Sequence, residues 1–292
     1  MDMIFIFIIL IIFNILFNTS NLMSCIYNSL YIWVLNVLPS IFIFYNISYY
    51  LLKSPLFSKI SNILKLVISF DSVKSYTILL INIFLGNPGT CKLISDSYAN
   101  NEISEYDYNL LNKVCIFMNP LFVLNIFSIK YYFLYIFSAL VYIKFSSVFK
   151  NDVSYNHTYK ENNKYNYSFS DFTKSINDVI YILLNVACLI TFFNIIKNTM
   201  IFTFSFLKLD YFNIKYILSF LEVASGLNDI RCFSNIYLDI LLISFQGICI
   251  LMQSYFVLNK KNISFIRYIF SKLLTSIFIT IIFLILTILF HI

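Results

Sequence analysis

Glycine and proline are nearly missing from this chain, at four residues each in 292, where roughly 7% and 5% are usual. Histidine is as scarce: His157 sits in a polar stretch and His291 is penultimate, which leaves no basis for histidine catalysis or a histidine metal site. The six cysteines (Cys25, Cys91, Cys115, Cys188, Cys232, Cys249) are scattered without a C-x-x-C pair, so neither a zinc site nor a disulfide framework is expected. In apolar surroundings such thiols behave as small hydrophobes. No G-x-x-x-x-G-K-[ST], G-x-S-x-G or H-E-x-x-H occurs, which excludes nucleotide-driven pumping by the chain alone and removes the commonest catalytic signatures. We therefore expect no enzyme, no catalytic residues, no cofactor and no metal. Charged residues make up only 12%, and the net charge of +6 is spread through short loops, so no nucleic-acid partner is expected.

What fills the chain instead is apolar: hydrophobic residues make up 60% of the chain and aromatics 20% of it, with a mean hydropathy of +0.82. A soluble domain of this size could not hide so much apolar surface. Largely apolar segments run over 3–17, 30–47, 76–86, 110–128, 131–149, 176–196, 199–207, 216–226, 236–258 and 273–291. About 18 or more such residues are needed to cross a hydrocarbon core of roughly 30 Å, so 76–86, 199–207 and 216–226 are too short to span alone. The bias toward Ile, Phe, Asn, Lys and Tyr is that of an AT-rich coding sequence, so the aromatic content carries little functional weight beyond lipid contact and interfacial belts. Residues 3–17 have no basic residue before them and no clear small-residue cleavage site after them, and read as a short first membrane helix rather than a signal peptide.

Charge sets a topology. The segments 50–75, 144–174 and 260–272 are basic and belong in the cytoplasm by the positive-inside rule, as does the N-terminus. Between the first two lie spans 110–128 and 131–149 plus the short 76–86; between the second and third lie 176–196 and 236–258 plus the short 216–226. Parity closes in both intervals if the short segments are re-entrant, the first breaking at Gly86-Asn87-Pro88-Gly89 and returning as 91–101, the second breaking at Ser225-Gly226. The expectation is an all-α polytopic membrane protein of about seven or eight membrane helices, with two re-entrant, broken hairpins in a pseudo-two-fold arrangement. It forms a single membrane domain, 1–292. A first half covers 30–149, a cytoplasmic polar loop 150–174, a second half 175–258 and a C-terminal membrane helix 259–292.

The rare glycines and prolines fall into the same pattern. Gly86-Asn87-Pro88-Gly89 is followed by Asn119-Pro120 within 110–128; Ser225-Gly226 is followed by Gln246-Gly247 within 236–258. Paired Gly/Pro interruptions in corresponding places of two halves point to a transporter binding site near the membrane midplane, where half-helix N-termini suit an anion or a carbonyl-rich solute. The plainer alternative is kinks that ease helix packing. Glu222, in an apolar run with no basic neighbour within a turn, is a candidate cation or proton partner, or a carboxylate meeting water at the interface. Lys92 and Asp96 share one helix face, so a local ion pair competes with Lys92 as an anion clamp. Asn87, Asn119, Gln246 and Gln253 offer amides to a nucleobase-like or peptide-like solute, or to main chain freed at the breaks. Asp229-Ile230-Arg231 reads as an interfacial charge pair.

At these residues the chain resembles the YlbJ-type sporulation integral membrane proteins, within the wider group that carries the nucleoside-recognition Gate domain. The stretches that carry the likeness are Gly86-Asn87-Pro88-Gly89-Thr90-Cys91-Lys92, Glu102-Ile103-Ser104-Glu105, Cys115 through Phe122, Leu221-Glu222-Val223-Ala224-Ser225-Gly226, and Ser244-Phe245-Gln246-Gly247-Ile248 through Gln253, collinear over about 30–258. Each is weak alone; their order and spacing give the specificity. Thr90, Ile116, Phe117 and Ala224 depart from the family pattern at positions where it has glycine, two asparagines and threonine. The resemblance implies two Gate-like halves and a role in endospore formation, in assembling the spore envelope or cortex. The implied location is the bacterial cytoplasmic membrane (mother cell or forespore). The lipid bilayer, an unidentified small solute (nucleoside-like or anionic) and other sporulation membrane proteins are the implied partners. A non-transporting scaffold that organises partners at the forespore membrane is the alternative.

Overall fold

In the computed structural model, residues 2–66, 68–148, 169–208, 212–230, 235–258 and 264–290 are described, and among them every regular element is helical. In chain order these are α1 (Asp2–Phe17), α2 (Thr19–Ile32), a π-helical turn (Trp33–Val37), α3 (Leu38–Leu51), α4 (Pro55–Ser61), a 3₁₀ turn (Asn62–Leu66), α5 (Val73–Leu85), α6 (Gly89–Ala99), α7 (Glu105–Val114), α8 (Pro120–Leu124), α9 (Ile129–Val148), α10 (Phe169–Phe206), α11 (Phe212–Ser219), α12 (Val223–Ile230), α13 (Ile236–Phe245), α14 (Gly247–Val257) and α15 (Phe265–Leu289). Among the described residues, four stretches are long and apolar enough to cross a membrane: Thr19–Leu51, Phe172–Phe206, Ile236–Val257 and Phe265–Leu289.

Several sequence expectations change. The runs 176–196 and 199–207, parted in the sequence by Lys197-Asn198, belong to one unbroken α10, because Lys197 finds a carboxylate inside the fold instead of ending the helix in water. The expected span 110–128 is no continuous helix: α7 stops at Val114, residues 115–119 run non-helically, and Pro120 starts the short α8. The run 30–47 is the middle of a longer stretch, Thr19–Leu51, interrupted by the π turn. Pro39 lies just beyond that turn and removes a backbone donor from the i→i−4 ladder; the Leu38 N–H instead reaches back five residues to Trp33 O. The polar loop 150–174 and Arg231 fall largely or wholly outside the described residues.

Local sequence explains where the short helices begin. Ser104, Asn119 and Asn235 cap α7, α8 and α13 by accepting from the N–H of Asp107 (2.9 Å), Leu121 (2.9 Å) and Tyr237 (3.0 Å); each such cap is worth about 1 kcal/mol. Asp107, fully buried, reaches back to the start of α5, where it accepts from the N–H groups of Asp71 and Ser72 (2.9 Å each) and from the hydroxyls of Ser72 and Ser75. That carboxylate at a helix N-terminus ties α7 to α5. One large apolar core joins α5, α7, α9 and α13–α15; a smaller one joins α3, α5 and α10. The two cores meet at α5 and α14, whose adjoining breaks form the site.

Candidate functional site

The break between α5 and α6 is built for close approach of two main chains. Gly86 leaves the helix at φ +68, and a methyl group there would lie 2.6 Å from Asn119 N and 2.9 Å from Met118 C. No residue with a Cβ fits without moving backbone. The Asn87-Pro88 peptide is cis, and α6 restarts at Gly89. Against this turn runs the non-helical segment 115–119, whose backbone groups are met almost one by one. Asn87 N donates to Phe117 O (3.3 Å), Asn87 Nδ2 to Cys115 O (2.8 Å), Tyr135 Oη to Ile116 O (3.0 Å) and Asn119 Nδ2 to Phe84 O (3.4 Å), while Asn82 Oδ1 accepts from Phe117 N (3.4 Å). Lys272 completes the set. The sequence places it beside the third basic loop, yet its side chain is 1% exposed and donates to Cys115 O (3.1 Å) and Lys113 O (3.4 Å). The Lys272 amine is thus held by the freed carbonyls at the C-terminus of α7.

The second break lies elsewhere than Ser225-Gly226. Both of those residues are inside α12; the chain leaves helical form at Phe220-Leu221-Glu222, three residues earlier. Gly226 is needed for packing, since a methyl there would overlap the Ser219 carbonyl at the end of α11. Glu222, 2% exposed, turns its carboxylate onto its own helix and accepts from Ala224 N (2.9 Å) and Ser225 N (2.6 Å). It is a buried N-cap, not a carboxylate meeting water. The carbonyls of Phe220 and Leu221 accept from Ile248 N (2.8 Å) and Cys249 N (2.9 Å), so this break satisfies the first N–H groups of α14. Between α13 and α14 the chain turns through two left-handed residues, Gln246 (φ +73) and Gly247 (φ +71).

Gln246 joins the two regions: its Oε1 accepts from Asn87 Nδ2 (3.0 Å) and its Nε2 donates to Phe117 O (3.1 Å). Beside this bridge is a cavity of about 50 Å³, with Asn36, Ser40, Asn87, Asn119, Glu222 and Gln253 as its polar lining and Met118, Phe122, Val186 and Ile190 among its apolar walls. At roughly 10–15 Å³ per ordered water, it has room for a few waters. Gln253 Oε1 is buried there without a hydrogen-bond partner. Asn36 brings the π turn of residues 33–37 to the same cavity; such turns concentrate at functional sites.

Five expected site residues (Asn87, Pro88, Asn119, Glu222, Gln253) line this cavity, and Gln246 holds its wall. Gly86, Gly89, Pro120, Gly226 and Gly247 shape the main chain around it. Ser225 and Lys92 face elsewhere. Ser225 lines a cavity of about 470 Å³ with Asn28, Asn194 and Lys197; Lys92 lines another of about 470 Å³ with Asp178, Asn185 and Gln253. Lys92 is paired with Asp96 (2.9 Å) at that cavity's edge. Asp229 pairs with Lys197 of α10. The amides of Asn87, Asn119 and Gln246 are spent on main chain, while Gln253 retains an open group. Among the described residues no three His, Cys, Asp or Glu side chains gather as metal ligands.

The three cavities follow one another along α10: Asp178 to Leu189 border the Lys92 cavity, Val186 and Ile190 the central one, Asn194 to Ser205 the Lys197 cavity. Asp178 to Lys197 is about 28 Å at 1.5 Å rise per residue, close to a hydrocarbon thickness. Sequence reading missed Asn36, Lys197 and Lys272. The signal for the two lysines was their position inside apolar runs, where a cation needs an internal partner. No family model, curated protein or solved structure matches this chain.

Proposed function

We propose that this protein binds or moves a small solute across a membrane through a transporter-like scaffold. The observation that carries the reading is the meeting of four non-helical pieces of main chain around a buried polar cavity midway along α10, with a wider cavity at either side. Irregular backbone at membrane depth is tolerated where it is buried in protein or lines a cavity. On this reading the α5–α6 and α11–α12 pairs are re-entrant, the chain makes about seven or eight passes in two pseudo-two-fold halves, and the N-terminus faces the cytoplasm. The resemblance to YlbJ-type proteins supports a role in sporulation, in the membranes that build the spore envelope or cortex. The central cavity is smaller than the roughly 300 Å³ of ordinary ligand pockets, so a nucleoside-sized solute requires its walls to part.

The test is uptake into proteoliposomes of uridine, inorganic phosphate and urea, compared with Gln253→Leu protein. Because Gln253 Oε1 has no partner in the fold, this substitution is expected to leave thermal stability unchanged while lowering uptake at least fivefold. Uptake of all three no faster than in empty vesicles would favour the scaffold reading. One observation points that way: the amides of Asn87, Asn119 and Gln246 serve the main chain rather than a ligand.

A further inference from the structure

On α12, Ser225 lines the Lys197 cavity, while its neighbour Ala224 lines the central one and a smaller space of about 100 Å³ bordered by Asn36, Asn125 and Asn228, so the first turn of this eight-residue helix stands between the Lys197 cavity and the other two. Its α10-facing side is held by polar links. Ser225 Oγ donates to Asn194 Oδ1 (2.8 Å), and Lys197 Nζ donates to Ser225 Oγ (3.1 Å). One turn further along α12, Asp229 forms an ion pair with the same Lys197. The two side chains are 8% and 21% exposed, so the pair is largely withdrawn from water, yet Lys197 borders a 470 Å³ space in which its ammonium can be hydrated when the pair parts. Glu222 caps α12 just past the break at Phe220–Glu222, so any shift of the helix pivots about that non-helical joint.

We infer that the Lys197–Asp229 pair is the latch of a gate: while it holds, α12 seals the central cavity from the Lys197 cavity, and when it opens the two become continuous. The latch rests on the reading of the central cavity as a solute site. It is electrostatic and largely withdrawn from water, so removing the Asp229 carboxylate weakens the hold on Lys197 and favours the open arrangement, whereas exchanging the two charges restores the attraction between these positions.

The experiment places a reporter on the sealed side. Ala224→Cys is introduced in the otherwise native protein in membrane vesicles, a membrane-impermeant maleimide is added to either face, and modification at position 224 is followed by peptide mass mapping. Native Cys25, which lines the Lys197 cavity, serves as internal control. Position 224 is expected to react slowly in the parent and about tenfold faster with Asp229→Asn, with Cys25 unchanged. The swap Lys197→Asp with Asp229→Lys is expected to return the rate to within about twofold of the parent. Ser225→Ala, which removes one link and no charge, should give a two- to threefold rise, and keeps the test decisive if Asp229→Asn folds poorly. An unchanged rate at 224 in both variants, or an equal rise at Cys25 showing general loosening, would overturn the latch and leave the solute reading standing. No reaction at 224 from either face in any variant, even with a small permeant methanethiosulfonate, would take down both.

Discussion

The two breaks solve one problem in different ways. Between α5 and α6 the freed main chain is met mostly by side chains: Asn82, Asn87, Asn119, Tyr135 and Lys272 each supply a donor or acceptor to backbone. Between α11 and α12 it is met mostly by other main chain, with Phe220 O and Leu221 O taking the first N–H groups of α14 and Glu222 capping α12. A break held by side chains announces itself in composition, through Gly-Asn-Pro-Gly and Asn-Pro. A break held by main chain can be written in ordinary residues, here Phe-Leu-Glu.

That comparison can be broken most forcefully at the glycines. Gly86→Ala would combine a left-handed backbone with a 2.6 Å contact to Asn119 N, and about 3–5 kcal/mol of stability should be lost, seen as a large fall in the thermal unfolding midpoint in detergent. Gly226→Ala should cost a similar amount through the Ser219 carbonyl; if it is tolerated while Gly86→Ala is not, the second break is the softer of the two. Glu222→Gln replaces one of two accepting oxygens by a donor facing Ser225 N, and about 1–3 kcal/mol should go. An unchanged midpoint would show that the carboxylate is not the cap. Gln246→Leu removes the bridge but leaves Asn87 its bond to Cys115 O, so roughly 1 kcal/mol is expected. The smallest effect belongs to Gly89→Ala, where the added methyl meets only the Leu85 side chain: under about 1 kcal/mol, because a flexible neighbour can give way. A collapse on Gly89→Ala would mean that α6 has no room to start where it does.

The same contrast explains what the sequence made legible. The helical class, the apolar spans and the turn at Gly86–Gly89 follow from hydropathy and from the rarity of glycine and proline. The break at Gln246-Gly247 was legible through Gly247, although the left-handed conformation of Gln246 itself was not. Ser225-Gly226 places the second break three residues late, because Gly226 marks where α11 and α12 touch and not where the main chain leaves the helix. Lys197-Asn198 splits an apolar run, yet α10 continues through it, with Lys197 paired to Asp229, more than thirty residues away, and Asn198 bonded to Asn14. Lys272 was hidden for the same reason, its partners being carbonyls that exist as free acceptors only because α7 stops at Val114. Residue type marks a local break well, and a partner across the fold poorly.

The claim on which the account turns is that the α5–α6 break and the α13–α14 turn close on each other, through Asn87 and Gln246, beside a polar cavity. Asn87→Cys with Gln246→Cys, with the native cysteines replaced by Ala, a protease site placed within residues 150–168 and a short bifunctional thiol reagent added to membranes, measures it directly; Asn14→Cys with Asn198→Cys, whose native amides bond at 3.2 Å, provides the positive control. The account predicts that both pairs form a cross-link that keeps the two fragments together after cleavage. A control pair that links while the Asn87–Gln246 pair does not would contradict it.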